Sequence, residues 1–309
     1  MKKTTSAIFA LMCSSAVFAN QANPECKTVR FADVGWTDIT ATTALTSEVL
    51  KGMGYEPTTQ VLSVPVTYRS LANDDLDVFL GNWMPTMAAD IKLYREAGTV
   101  DTVRANLTGA KYTLAVPQYV YDAGVTSFAD IAKNAGKFDE RIYGIEPGND
   151  GNRLIQSMIE QDAFGLADFR VVESSEAGML SQVRRAVKRD NWVVFLGWEP
   201  HPMNSNFDLA YLEGGDDYFG PDFGGATVYT NTRAGYVEQC PNVGQLLKNL
   251  EFSLQMENEV MALILNEDMK PEAAARQWLK NNPGTLDKWL EDVQTMDGKP
   301  ALEAVKSAL

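Results

Sequence analysis

Histidine is almost missing from this chain: of 309 residues only His201 is one. It lies between Pro200 and Pro202, with no G-x-S-x-G serine and no metal-ligand spacing around it, so a hydrolytic triad or a histidine metal centre has nothing to start from. No Walker loop is present, and no dinucleotide fingerprint opens the first βα unit. These absences point away from an enzyme and predict no cofactor and no bound metal. Positive charge is also short, with 27 Lys and Arg against 41 Asp and Glu and a net charge of −14. With no basic run anywhere, nucleic acid and anionic lipid are poor partners. The acidic balance mildly favours approach of a cation, although most of these carboxylates read as a solvated surface. Beyond the N-terminus no segment is apolar for the roughly 18 residues that a membrane span needs. There is no low-complexity stretch and no solenoid period.

Cysteine is scarce, and its placement is informative. Met1-Lys2-Lys3, the apolar run Ala7 to Met12 and the small-residue end Ala16-Val17-Phe18-Ala19 have the three regions of a secretory signal peptide, so residues 1–19 are expected to be removed on export to the periplasm. Cys13 falls inside that segment, and Met12 before it is too large for a lipid-attachment site. Cys26 and Cys240 remain, an even pair in an oxidising compartment, and a disulfide between them is expected. It would place both ends of the chain in one lobe.

What the chain does have is an echo. Val78-Phe79-Leu80-Gly81 leads to Trp83, and Val194-Phe195-Leu196-Gly197 leads to Trp198. Each reads as a buried strand ending at its glycine with an indole just beyond. A third candidate strand, Val29-Arg30-Phe31, runs on to Trp36. Strand ends are where open α/β sheets bind ligands. Around them the pattern predicts a helix over residues 43–52, a strand over 59–64, a helix over 67–73 and a helix over 88–97. The segment at 110–117 alternates like a strand. A second α/β unit follows, with strands at 141–145, 169–172 and 192–196 and helices at 152–161 and 175–188. A strand at 226–230 returns to the first unit, and from Asn242 on the pattern is helical. The βα rhythm predicts a mostly parallel sheet. The crossings near residues 112 and 228 predict a two-strand hinge.

Three indoles at strand ends, with Tyr112 on the hinge, suggest a cage for a cation without N–H donors. Such a group offers diffuse charge under a methyl skin, and aromatic faces match both properties. Asp38, two residues after Trp36, is either a counter-charge or hydroxyl acceptor for the ligand, or a helix cap. Asn149, in the turn Glu146-Pro147-Gly148-Asn149-Asp150-Gly151, is a cap or a polar ligand contact, with the cap slightly favoured. Trp192, Trp278 and Trp289 read as packing residues, and Glu199 as a structural carboxylate.

The stretches Phe31 to Thr40 (FADVGWTDIT), Leu80 to Met87 (LGNWMPTM), Tyr143 to Arg153 (YGIEPGNDGNR) and Gly197 to Asn204 (GWEPHPMN) resemble the periplasmic choline-binding proteins of ABC transporters, within the glycine betaine/choline solute-binding family. The similarity runs over nearly the whole chain after the signal segment. It implies a type II periplasmic binding fold, with lobe 1 over residues 20–112 and 228–309, lobe 2 over 113–227, and ligand in the cleft between them. It implies an aromatic box of Trp36, Trp83, Tyr112 and Trp198, polar contacts from Asp38 and Asn149 to the choline hydroxyl, and a Cys26–Cys240 disulfide. It also implies an ABC permease and its ATPase as partners. Choline is expected first, acetylcholine as a weaker ligand and glycine betaine weakest, because Asp38 would repel betaine's carboxylate. The rivals are a betaine or carnitine binder, an exported choline-ester hydrolase and a sensory binding protein. One hinge and one cleft suffice for a monomer.

Overall fold

The computed structural model describes residues 24–309; the expected signal segment and its cleavage point after Ala19 lie outside them. Nine strands follow one another as β1 (Thr28–Asp33), β2 (Glu56–Val61), β3 (Val78–Met84), β4 (Val100–Pro117), β5 (Arg141–Tyr143), β6 (Arg170–Val172), β7 (Phe195–Glu199), β8 (Leu209–Tyr211) and β9 (Gly225–Arg233). They form one sheet in the order β2-β1-β3-β9-β4-β7-β5-β6, with β8 added alongside β4. β1 is parallel to β2 and β3, and β5 is parallel to β6 and β7, as helical crossovers require. β9 is antiparallel to β3 and β4, and β4 is antiparallel to β7 and β8.

The architecture is therefore two α/β halves joined through the long pair β4 and β9. The sheet is mixed, not mostly parallel: crossover helices build each half, but the two strands that connect the halves run against their neighbours. β4 is also much longer than the segment its alternation suggested. Its first ten residues mix polar and apolar side chains of uneven burial, and three register shifts against β9 break the period of two on which strand recognition rests.

The glycines of the echo do not end their strands. Trp83 lies inside β3 and Trp198 inside β7. At Gly81 an added Cβ would sit 2.7 Å from Ile39 Cγ1 and Cδ1, and the register against β9 shifts between Phe79 and Asn82. The glycine lets a helix press onto the strand at an irregularity instead of stopping it. Both tryptophans are followed closely by a cis X-Pro bond, Met84–Pro85 and Glu199–Pro200.

The helix that presses on Gly81 is α1 (Thr37–Gly52), which starts six residues before the apolar pattern indicates. Thr37 through Leu50 is buried apart from Thr40. The sheet covers one side, and the helices Leu254–Leu265, Pro271–Asn281 and Ala301–Ala308 cover the other. Its threonines are tolerated inside because their hydroxyls back-bond: Thr42 to the Asp38 carbonyl at 3.0 Å and Thr46 to the Thr42 carbonyl at 2.8 Å. α2 (Val64–Ala72) carries Pro65 in its first turn, which fixes the helix start and ends β2 earlier than expected, at Val61. α3 (Ala88–Glu96) lies where the pattern puts it.

The disulfide joins Cys26, just before β1, to Cys240, with 5.6 Å between their Cα atoms. Among the described residues no helix is long and apolar enough to cross a membrane.

Candidate functional site

A small cavity is lined by Trp36, Asp38, Trp83, Tyr112, Ile145 and Trp198. Trp36 is the residue before α1, Asp38 lies in its first turn, and Trp83 comes from β3. Tyr112 is on β4, directly paired with Trp198 of β7, and Ile145 lies just beyond β5. The walls thus come from both halves of the sheet, and all six side chains are buried.

The rings meet edge to face. Trp83 and Tyr112 have centroids 6.1 Å apart at 64°, and Tyr112 and Trp198 are 6.3 Å apart at 80°. The paired rings are steeply inclined to one another instead of stacked, so they wall the cavity from different directions. Polar edges are tied back. Trp36 Nε1 donates to Glu146 at 2.9 Å, Trp83 Nε1 to Asp38 Oδ2 at 3.2 Å, and the Tyr112 hydroxyl to Asn149 Oδ1 at 2.9 Å.

Asn149 stands behind Tyr112 and is not among the residues lining the cavity. It caps the helix Asp150–Glu160 by accepting from Asn152 N at 3.1 Å, while its Nδ2 donates to Asp150 at 3.2 Å. Its cap geometry was legible as one of two readings; its grip on Tyr112 was not. Gly151 makes that grip possible, since a Cβ there would land on the Tyr112 hydroxyl.

Asp38 is the one carboxylate among the residues lining the cavity. Its Oδ2 is held by the Trp83 indole, but its buried Oδ1 has no partner. It occupies the first turn of α1, without acting as the cap. Burial, then the nearby Glu176 carboxylate, push its pKa up to about 8. Burial likewise raises Glu146 to about 7. No Lys or Arg lines the cavity, so the wall itself supplies no compensating positive charge.

Ile145 escaped the sequence reading because an isoleucine at a strand end looks like core. The remaining expected residues fall elsewhere. Trp192, Trp278 and Trp289 are away from this cavity, and Glu199 pairs with Lys111 at 3.3 Å. His201 is buried behind Trp198, ring centroids 5.0 Å apart.

Two α/β halves with a ring-lined cavity walled by both define a solute-binding protein. Residues 27–281 match OpuAC, the substrate binding domain of ABC-type glycine betaine transport systems, and the chain belongs to that family. It is a transport family of periplasmic or extracellular binding proteins, not a family of enzymes. The structure is similar to that of an ABC-transporter choline binding protein in complex with choline, with 62% identity, TM-score 0.91, 93% of this chain and 99% of that one covered. An unliganded semi-closed form of an ABC-transporter choline binding protein matches with 62% identity and TM-score 0.85, covering 92% and 99%. Lactococcal OpuAC, closed on glycine betaine, matches with 27% identity and TM-score 0.77, covering 86% and 100%.

Proposed function

We propose that this chain binds choline and delivers it to an ABC importer, its cation held by Trp36, Trp83, Tyr112 and Trp198 and its hydroxyl by Asp38. The observation that carries this reading is the cavity lined by four aromatic rings with the free Asp38 Oδ1 at its wall. A trimethylammonium group cannot be gripped by hydrogen bonds. Four desolvated faces at about 2 kcal/mol each give about 8 kcal/mol gross, against an association cost of about 4 to 15 kcal/mol. Closure and exclusion of water must supply the rest. The resemblance to the choline complex, closer in shape than that to the semi-closed form, supports reading this arrangement as the closed one.

On this reading lobe 1 comprises residues 20–112 and 228–309, lobe 2 comprises 113–227, and β4 and β9 act as the hinge. Asn149 contributes by fixing the Tyr112 ring. The protein is exported with cleavage near Ala19, works as a monomer, and takes acetylcholine more weakly. A betaine or carnitine binder would share the box, and the family description favours weighing it. Betaine, however, would bring its carboxylate to a wall that holds Asp38 and no cation. Isothermal titration of ligand-stripped protein with choline and then glycine betaine decides between them. Tighter choline is expected; tighter betaine would keep the box and overturn the role of Asp38.

A further inference from the structure

Glu176 opens the helix Glu176–Val187, in the half of the molecule opposite α1. It is buried and does not line the cavity, yet it reaches across the cleft. Its Oε2 accepts from Thr37 N at 2.9 Å, and its Oε1 accepts from Thr37 Oγ1 at 2.5 Å and faces His201 Nε2 at 3.1 Å. Thr37 is the first residue of α1, so its N–H is one of the donors that a helix leaves unpaired at its positive end. Met203 N donates to His201 Nδ1 at 2.9 Å. The ring proton therefore sits on Nε2 and is donated to Glu176. The same imidazole backs Trp198.

We propose that Glu176 latches the cleft: its carboxylate ties the start of α1, which carries Trp36 and Asp38, to the His201 and Trp198 wall, and so governs how slowly ligand leaves. This rests on the function proposed above. Other bonds also cross the cleft. Arg153 pairs with Asp90 at 2.6 Å, but the arginine side chain is 41% exposed and the pair is correspondingly weak. Trp36 bonds to Glu146 through a single contact. Glu176 alone among these is a buried carboxylate with three donors, two of them from the opposite half. Such charge-assisted bonds, made fully only when the halves meet, act on dissociation more than on encounter.

Stopped-flow tryptophan fluorescence with choline tests this on wild type, Glu176→Gln and Thr37→Val, with thermal denaturation as the check on folding. Glu176→Gln turns an acceptor into an amide facing donors, so the dissociation rate is expected to rise by about tenfold or more with the association rate little changed. Thr37→Val removes only the hydroxyl and should raise dissociation by a smaller factor, which keeps the proposal testable should the glutamine variant fail to fold. Small-angle scattering should show weaker compaction on choline for Glu176→Gln. Wild-type dissociation rates in the folded variants would overturn the latch. Absence of choline binding by the wild type would instead overturn the function, and the latch with it.

Discussion

Six tryptophans divide into two triplets, and burial alone does not sort them: Trp192 is partly buried, but its two companions are as buried as the cavity rings. Trp36, Trp83 and Trp198 are 6%, 3% and 3% exposed, while Trp278 and Trp289 are 7% and 2% exposed. The difference is what the rings adjoin. Trp289 packs nearly at right angles to Phe252 with centroids 5.6 Å apart and donates to the Glu251 carbonyl, and Trp278 donates to Glu259 at 2.7 Å. Trp192 already holds a cation of this protein's own, Lys137 Nζ, 3.9 Å from the ring centroid. The first triplet lines a cavity. A ring can serve binding when it borders open space, however deeply the residue is buried.

Breaking the packing triplet should have the largest effect, and on stability alone. Trp289→Ala is expected to lose about 3–5 kcal/mol of folding stability, read by denaturant titration, with choline affinity unchanged in the folded fraction. Loss of affinity there would collapse the distinction between the triplets. Breaking the binding triplet should do the reverse. Trp36→Ala and Trp198→Ala should each weaken choline by about 2 kcal/mol, measured calorimetrically, with little change in unfolding midpoint.

The smallest effect sharpens the comparison through Asp38, the acceptor on the Trp83 indole. Burial and the Glu176 carboxylate raise its pKa to about 8, so without a neighbouring cation it is largely protonated at neutral pH. A bound cation favours the ionised form, and binding then releases a proton. Choline affinity should therefore rise with pH up to about 8, by at most about 1.4 kcal/mol per pH unit, and level off above it. Betaine should show the opposite trend, because its carboxylate is repelled once Asp38 ionises. Asp38→Asn should flatten both profiles in titrations run between pH 6 and 9. A choline profile that is already flat in the wild type would remove proton release from the binding step.

The cavity was far more legible than its supports. Trp36, Trp83, Tyr112 and Trp198 sit beside short apolar runs, and local pattern finds such places. Asn149 was legible as a cap because its partner Asn152 is three residues away. Glu176 was not. An acidic residue in a first helical turn reads as a dipole partner for its own helix, and here it serves another helix start 139 residues distant in sequence. The fold divides the same way. Each parallel half follows from its βα rhythm, whereas the bulged antiparallel pairing of β4 with β9 depends on contacts that no local window contains.

That pairing also sets the order in which the protein can be assembled. β1 and β3 are made first, but β9, the neighbour that links β3 to the rest of the sheet, is not present until residues 225–233 have been made. Cys26 likewise waits 214 residues for Cys240. The half that contains β5, β6, β7 and β8 is contiguous and has all its strands by Tyr211. A chain emerging from its N-terminus thus completes its second half before its first, and the part begun earliest is the last to be sealed.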